Sequence, residues 1–429
     1  MTESTALQAR TSACADDWAP EREGAGVALS LPAMIMIASV AFNAVLAVVN
    51  GHIVPLSPTA VIGAEVALVL AAHVVAAARL TPQMLPWYVL IALLTGFAVI
   101  RAVLTGELGL APKFVRDVLL IPTFVVLGMA SREGDLDRSV VILFTIVLGI
   151  FLVEMLAPSL FQNLFRIKDY YINTRDNTAA DFWNTESDLY LSATRPGDRF
   201  IDFVDLPRAS SLFLEPVSLG NYCTLMTAFV CARFGGLSGR VRIFLVAGIV
   251  LMLIGCDGRL AFTSSALIVL LSVVFSRIST RFALLYLPLA ALFAVGLSIL
   301  RPQAGDDFVG RINYTVALLG EFGLIDWLGL SSQHLSSAAD SGLAYLIISQ
   351  SVFGLLLVWC FVIFSARDEF VDQLRFTHGL ALFFTMTMMV SYSIVTIKTA
   401  AFMWFVYGAL HAAPAAIATM SNCPRDPAP

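Results

Sequence analysis

Charged residues are scarce in this chain of 429 residues, of which 13% are Asp, Glu, Lys or Arg and 58% are hydrophobic. Soluble domains carry about 25% charged residues, because these side chains keep the surface in water. The deficit is spread along the whole chain, which has a mean hydropathy of +0.83. Lipid is therefore the predicted solvent. The net charge of −5 gives no indication of a partner of opposite charge, and nucleic acid is not expected as a partner.

The chain also lacks the motifs of secreted and metal-binding proteins. None of its six cysteines forms a CxxC pair, and most lie in apolar runs, so neither a disulfide framework nor a zinc site is predicted. The histidines occur singly, without HxxxH spacing. Residues 1–26 are polar and lack the apolar core and cleavage site of a secretory signal. We expect them to form a retained cytoplasmic tail.

Long apolar runs are abundant instead. A membrane-spanning helix needs ~20 mostly apolar residues, and twelve runs of this kind lie near 27–49, 58–79, 86–105, 113–130, 139–160, 212–233, 241–257, 260–276, 282–300, 341–364, 377–397 and 400–420. The last two runs are separated only by Lys398 and Thr399, where we expect a tight connection. The sequence predicts an all-α polytopic membrane protein with about 12 transmembrane helices and two long periplasmic loops.

The predicted organisation has seven parts. A cytoplasmic tail at 1–26 precedes N-terminal transmembrane helices at 27–160, a large periplasmic loop at 161–211 and central helices at 212–300. A second periplasmic loop at 301–340, C-terminal helices at 341–420 and a cytoplasmic tail at 421–429 follow. Cytoplasmic loops are rich in Lys and Arg. With the N-terminus inside, the cytoplasmic connections collect most of the basic residues: Arg79, Arg132, Arg138, Arg233, Arg240, Arg242, Arg277, Arg281, Arg367, Arg375 and Arg425. Both termini are therefore expected in the cytoplasm.

Ionisable side chains recur at the predicted outer ends of the helices. Lys113, Arg116 and Asp117 have the spacing of one helix face. The others follow the first loop, occupy a short turn or belong to the second loop: Glu215, Asp257, Arg259, Arg301, Arg311, His334 and Asp340. For any one of them the alternative is anchoring at the headgroups. As a group they predict a functional site, because ionisable residues at membrane depth are costly and usually functional.

The chemistry of this group indicates a lipid with an anionic headgroup. Arginine pairs bidentately with phosphate oxygens and keeps its proton. A lipid-linked diphosphate would place its phosphates on the arginines and its tail among the helices. The first loop is rich in aromatic residues, which either bind sugar faces or pack a small core of the loop itself. These residues are Phe165, Tyr170, Tyr171, Phe182, Trp183, Tyr190 and Phe200.

Three short stretches resemble one bacterial family. The stretch from Arg208 to Tyr222, which contains Phe213-Leu214-Glu215-Pro216, is similar to the segment after the large periplasmic loop in polysaccharide polymerases of the Wzy and O-antigen-ligase superfamily. Gly255-Cys256-Asp257-Gly258-Arg259-Leu260-Ala261 resembles a short turn of this family, with Gly258 where serine is usual. Asp340-Ser341-Gly342-Leu343-Ala344-Tyr345, followed by Phe353-Gly354, resembles one of its helix starts. The likeness is greatest to exopolysaccharide polymerases of xanthan-type gene clusters, and it covers the N-terminal helices by hydropathy alone.

The resemblance implies a GT-C-like membrane glycosyltransferase architecture. It implies transfer of oligosaccharide repeat units between undecaprenyl-diphosphate-linked glycans on the periplasmic face of the bacterial inner membrane, with no cofactor or metal. The candidate protein partners are chain-length regulators and export proteins. Arg208 precedes Gly220, and Arg311 precedes Gly323, at close to the Arg-to-Gly spacing of the polymerase loops. In the ligase branch an arginine and a histidine act together, and Arg208 and His334 hold comparable places.

The roles expected at the site follow from this chemistry. The candidates for binding the leaving diphosphate are Arg208, Arg259, Arg311, Arg116 and Lys113. The candidates for a catalytic role are Glu215, Arg208, His334 and Asp340, and a base has to lie within hydrogen-bond reach of the acceptor hydroxyl. We favour Glu215, which is expected beside Arg208 at an apolar helix start. The alternative is that Glu215 only pairs with Arg208 and fixes the exit of the loop.

Two other functions stay open. A glycan ligase would transfer a finished chain with the same chemistry. A lipid-linked oligosaccharide flippase or another transporter belongs to a different class, in which charges are expected near the bilayer midplane, often on broken helices. The charges of this chain instead cluster at the predicted outer ends of the helices. This placement favours an enzyme over a transporter.

Overall fold

The structure is a computed structural model that describes residues 29–132, 134–175, 177–182, 187–194, 207–302 and 308–412. In these ranges the regular secondary structure is helical. The two predicted cytoplasmic tails, together with Trp183 and Phe200, lie outside the described residues.

Each of the twelve predicted runs contains one helix, and further short helices occur in the two long loops. The helices are α1 Leu31–His52, α2 Pro58–Ala77, α3 Leu85–Thr105, α4 Ala111–Met129, α5 Asp135–Leu156, α6 Pro158–Phe165, α7 Ile167–Thr174, α8 Pro216–Ala232, α9 Gly239–Cys256, α10 Arg259–Phe275, α11 Tyr286–Leu300, α12 Phe308–Gly320, α13 Leu324–Trp327, α14 Gly342–Ser365, α15 Val371–Met388 and α16 Ile397–Ala412. The first loop contains α6 and α7, and the second contains α12 and α13.

Seven helical stretches are long and apolar enough to cross a bilayer. They are Leu31–His52, Pro58–Ala77, Pro82–Thr105, Asp135–Leu156, Gly239–Cys256, Thr280–Leu300 and Gly342–Ser365. The protein is therefore a helical, polytopic membrane protein. Among the helices of the other five predicted runs, α8, α10 and α16 have only 16 or 17 residues, and α4 and α15 carry several ionisable side chains in their first half. The number of twelve spans stays a prediction.

The connection before the last helix differs from the prediction. Lys398 and Thr399 do not form a turn, because they lie in the first turn of α16. The helices are instead separated by residues 389–396, where Thr396 Oγ1 donates to Ser393 O at 2.7 Å and Ser393 N donates to Ser391 Oγ at 3.1 Å. Side chains of this kind offer the backbone an alternative to helical hydrogen bonds, which explains why the helix stops in this stretch.

The centre of the fold is the close crossing of α4 and α16. Every residue of α16 from Ile397 to His411 is buried. Two glycines allow the approach: a Cβ at Gly128 would lie 2.2 Å from Phe405 O, and a Cβ at Gly408 would lie 2.0 Å from Val125 O. Small residues let helix backbones pack closely in membranes, where packing rather than the hydrophobic effect drives association.

Contacts between helix ends divide the molecule into two faces. On the first face, Asn173 Nδ2 donates to Asn50 Oδ1 at 3.1 Å. We call this the loop face, and it comprises the described residues of 53–57, 106–110, 157–215, 257–258, 301–341 and 389–396. On the opposite face Arg233 forms ion pairs with Asp137 at 2.7 Å and Asp372 at 2.5 Å. We call this the arginine face, and it comprises the described residues of 78–84, 130–134, 233–238, 276–285 and 366–370. Which face meets the cytoplasm stays a prediction.

The helix α14 is broken at Ser351. This residue has φ 63° and ψ 167°, a region that only glycine adopts without strain. Gly329 of the second loop packs against the break, with the position of a Cβ only 2.8 Å from Ser351 N. The completely buried Arg101 of α3 donates from Nε to Gly329 O at 2.6 Å and to Ile348 O at 3.1 Å. These bonds satisfy a carbonyl that the break removes from the helical ladder.

The crossing of α4 and α16 can be tested with Gly408→Ala. The added methyl group would collide with the backbone of α4, so the helices would have to separate at a cost of about 1–3 kcal/mol. We expect a lower apparent melting temperature of the purified protein in detergent. Gly149→Ala on α5 is the matched control, because a Cβ there meets nothing within 4 Å. Equal melting temperatures for the two variants would contradict this packing.

Candidate functional site

The segment before α8 carries the site residue Glu215 and has an unusual backbone. Ser211 has φ 50° and Leu214 has φ 61°, so two residues other than glycine are left-handed. The segment is held from α5 by the buried carboxylate of Glu154, which accepts from Ser210 N at 2.9 Å and from Ser211 N at 2.6 Å. Ser210 Oγ donates to the same carboxylate at 3.0 Å. Glu154 thus fixes the path by which the chain reaches Glu215.

The carboxylate of Glu215 receives four donors. Its Oε1 atom accepts from Tyr171 Oη and from Arg175 Nη1, each at 2.9 Å. Its Oε2 atom accepts from Ser218 Oγ at 3.0 Å and lies 2.5 Å from Lys398 Nζ. The donors come from the first loop, from α8 itself and from the start of α16. Glu215 therefore joins three parts of the chain at one point.

The electrostatic surroundings of Glu215 keep it ionised. Burial alone would raise its pKa, but the charges of Lys398 and Arg175, together with the hydrogen bonds from Lys398 and Tyr171, outweigh burial and lower the pKa to about 2. A carboxylate with four donors and a low pKa is a weak proton acceptor at neutral pH, because a general base works best with a pKa near the operating pH. The geometry therefore favours a positioning role for Glu215 and disfavours a role as the general base.

A second group of charges lies at the start of α4. Arg116 forms ion pairs with Asp117 at 2.5 Å and with Glu65 of α2 at 3.3 Å. Tyr345 Oη donates a short hydrogen bond to Asp117. The ammonium group of Lys113 lies 5.4 Å from the centre of the Tyr345 ring. The predicted shared face of Lys113, Arg116 and Asp117 is thus tied to the N-terminal half of α14.

Tyr392 connects the two groups. Its ring stacks on that of Tyr345 with 4.9 Å between the ring centres, and it lies within electrostatic range of Arg175, Glu215 and Arg116. Glu65 is likewise within range of Arg175. We call the whole group the charged cluster and define it as Glu65, Lys113, Arg116, Asp117, Tyr171, Arg175, Glu215, Tyr345, Tyr392 and Lys398.

Within the charged cluster the acids lie deeper than most of the cations. The side chains of Glu65, Asp117 and Glu215 are 9%, 3% and 15% exposed. Those of Arg116 and Arg175 are 25% and 42% exposed, and Lys113 is exposed. Lys398 is the buried cation. The surface that the cluster presents to a ligand on the loop face is therefore positive, although three carboxylates support it from below.

Arg208 does not pair with Glu215, in contrast to the expectation from the sequence. Its Nε atom donates to Cys256 O at 3.0 Å, its Nη2 atom to Asp257 O at 3.3 Å and its Nη1 atom to Ser192 O at 3.4 Å. The left-handed residues that follow turn the chain, so Arg208 faces the end of α9 instead. Arg259, the first residue of α10, is exposed next to this turn.

Two candidates of the second loop, Arg311 and Asp340, form an ion pair, and the third, His334, lies next to Glu321. Arg311 Nη1 lies 3.7 Å from Asp340 Oδ1, whose side chain is exposed. His334 Nδ1 lies 3.9 Å from Glu321 Oε2, and its ring stacks on Phe322 at 5.4 Å. Asp340 is separated from α14 only by the N-cap residue Ser341, so it lies near the turn of the helix that carries Tyr345. The second loop thus borders the charged cluster.

The described aromatic residues of the first loop pack on one another. The rings of Tyr171 and Tyr190 lie 4.6 Å apart, and those of Tyr170 and Tyr171 lie 5.2 Å apart. Tyr170, Tyr171, Phe165 and Phe182 are buried. This packing favours the alternative in which the aromatic residues form a core of the loop. It also holds Tyr171 against Glu215.

Three functional candidates were missed in the sequence. Arg175 and Lys398 bind Glu215 from distant parts of the chain, and no local pattern pairs them with it. Arg101, which holds the break in α14, did leave a signal: it is one arginine inside an apolar run. Among the described residues, no group of three or more His, Cys, Asp or Glu side chains could hold a metal ion.

No protein-family model, curated protein or solved structure matches this chain. The resemblance to the Wzy and O-antigen-ligase superfamily therefore stays a prediction from three short stretches. Each stretch has a place in the fold. The first carries Glu215, the second supplies two of the carbonyl groups that Arg208 binds, and the third places Tyr345 on Asp117.

The ion pair of Glu215 and Lys398 can be tested with a double-mutant cycle. Glu215→Gln leaves the buried ammonium group of Lys398 without its carboxylate, which costs about 3 kcal/mol. We expect this variant to unfold at a clearly lower temperature in detergent, and Glu215→Gln combined with Lys398→Met to regain much of the loss. Asp340→Asn is the control, since its carboxylate is exposed. Additive effects of the two substitutions would contradict the pair.

Proposed function

We propose that the protein is a polysaccharide polymerase that transfers oligosaccharide repeat units between undecaprenyl-diphosphate-linked glycans. The reaction would take place at the loop face, on the periplasmic side of the bacterial inner membrane. The observation that carries the proposal is the layering of the charged cluster, in which Lys113 and Arg175 are exposed and Arg116 is partly exposed, whereas the three carboxylates lie deeper. A diphosphate between a lipid tail and a glycan matches a positive surface at a membrane boundary.

The cations have a role in the transition state of this reaction. A hydroxyl of the acceptor glycan attacks the anomeric carbon of the donor, the bond from that carbon to the diphosphate oxygen breaks, and undecaprenyl diphosphate leaves. Negative charge builds up on the leaving diphosphate, and Lys113, Arg116 and Arg175 would stabilise it. The deeper acids hold these cations in place, so little reorganisation is needed when the charge develops. No metal is required for this step.

The proton of the acceptor hydroxyl needs a different residue from Glu215, whose carboxylate is occupied by its four donors. Asp340 is the best placed of the remaining candidates, because its carboxylate is exposed and pairs only loosely with Arg311. His334 is the other candidate. Arg208, bonded to three carbonyl groups, would support the turn between α9 and α10. Arg259 and Arg311 remain candidates for contacts with the glycan-bearing diphosphate.

A ligase would use the same chemistry with another acceptor, and the charged cluster does not favour one over the other. A flippase is the second candidate, and one observation favours it. The break of α14 at Ser351 beside the buried Arg101 is a feature that transporters use at their substrate sites. The exposed cations of the charged cluster nevertheless lie on one face of the molecule, which is what an enzyme on that face requires.

The proposal can be tested in a strain that lacks this protein and carries either the wild type or a variant. We expect the deletion to accumulate single lipid-linked repeat units on the periplasmic side. Arg116→Ala and Arg175→Ala should reduce polymer roughly a hundredfold, as the loss of a transition-state donor does. The readouts are the mass of the lipid-linked glycans, the secreted polymer and the amount of protein in the membrane.

Arg240→Ala is the matched control, because Arg240 is an exposed arginine at the opposite, arginine face. It should leave polymer unchanged. Repeat units that stay on the cytoplasmic side in the deletion would identify a flippase. Long lipid-linked chains that accumulate would identify a ligase. Normal polymer from both cluster variants at normal protein levels would overturn the proposed site.

A further inference from the structure

The helices α2 and α3 stand apart although they follow one another in the chain. Both pack on α4, and they make little contact with each other. The other neighbours of α2 are α1 and the first-loop helix α7, whereas α3 leans on α14. Two antiparallel helices with a connection this short usually pack together. Their separation leaves a cleft with α4 as its floor, open to the lipid.

The exposure of α4 traces the floor of this cleft. Pro112 is exposed, and Val115, Arg116 and Leu119 are partly exposed, at the spacing of one helix face. Beyond Leu119, every residue from Leu120 to Ala130 is buried. The open stretch of α4 therefore covers two helical turns, about 10 Å at the usual helical rise.

Both ends of the cleft are defined by contacts. At the loop face, Arg116 reaches Glu65 of α2 at 3.3 Å, and exposed Lys113 lies one turn before it. At the other end, His73 of α2 lies 3.0 Å from Thr123 Oγ1 of α4, and its ring lies 5.9 Å from that of Tyr88 of α3. The cleft thus has a cationic mouth and a closed lower end.

The flanking helices are apolar over the same stretch. On α2, Ile62 and Val66 are 47% and 43% exposed, and on α3 Val99 and Val103, which lie on the same helix face as Tyr88, are 50% and 67% exposed. Together with Val115 and Leu119, these side chains offer a surface for a hydrocarbon chain directly below two cations. The width of one α4 face suits one chain better than the two chains of a phospholipid.

We infer that this cleft binds the first isoprene units of a polyprenyl diphosphate, with its phosphates on Lys113 and Arg116. The inference rests on the proposed function and adds to it the path of the lipid tail. The substrate enters sideways from the bilayer between α2 and α3, so its diphosphate reaches the exposed side of the charged cluster without leaving the membrane boundary. The rest of the tail stays in lipid.

The test uses the purified full chain in lipid nanodiscs and radiolabelled undecaprenyl diphosphate as the probe. Leu119→Trp fills the floor of the cleft and should weaken binding of the probe about tenfold. The melting temperature of Leu119→Trp in detergent should match that of the wild type, which guards against a general folding defect. Leu270→Trp is the matched control, because Leu270 of α10 is 71% exposed and far from α4 in the helix packing. It should bind as the wild type does.

Three outcomes would overturn the inference. The first is unchanged binding to Leu119→Trp. The second is an equal loss of binding in Leu270→Trp. The third is displacement of the probe by phosphatidylglycerol at equal concentration, which would mean a general site for anionic lipids. The proposed function is tested separately. If the protein binds the probe in this cleft but forms no polymer, the inference about the cleft stands and the proposed polymerase activity is wrong. If Leu119→Trp forms polymer at the wild-type rate, the proposed polymerase activity stands and the inference about the cleft is wrong.

Discussion

Four donors converge on the carboxylate of Glu215, and the arrangement of the loop face depends on this point. The donors bring together the first loop, the start of α8 and the start of α16. An unpaired charge at membrane depth is costly, so the partners of such a group are strongly specified. The same carboxylate keeps Lys398 buried and aims Arg175 at the loop face. With Arg116 held in the same way by Asp117 and Glu65, the acids form a scaffold and the cations form the surface.

More of the fold than of the candidate site could be predicted from the sequence. Apolar runs mark helices because lipid offers the backbone no other partners, and each run does contain a helix. The break at Ser351 could not be predicted, since a serine inside an apolar run carries no signal, and the residue that packs against it, Gly329, is distant in the sequence. The contacts of the candidate site were likewise only partly predictable. Lys113, Arg116 and Glu215 were predicted from their positions, but Arg175 and Lys398 meet Glu215 only through tertiary packing.

The charged cluster and the cleft between α2 and α3 would suit two parts of the same lipid substrate. A helix-end anchor does not need buried acids below its cations, because it only has to reach the headgroups. Buried acids are useful where a multiply charged headgroup has to be held beside an apolar chain, because they fix the positions of the cations. The separation of α2 from α3 places the apolar path directly below Lys113 and Arg116, and the second loop brings Asp340 to the neighbouring turn of α14. Headgroup, tail and acceptor would then meet at one edge of the loop face.

The most direct measurement is polymer formation by the purified protein in proteoliposomes that contain only lipid-linked repeat units. Excess chelator and the absence of nucleotide sugar make the reaction depend on the protein alone. The account predicts a ladder of longer lipid-linked glycans, formed from repeat units that face the same side as the charged cluster. Repeat units that change leaflets without growing, or growth that needs a metal ion or nucleotide sugar, would contradict it.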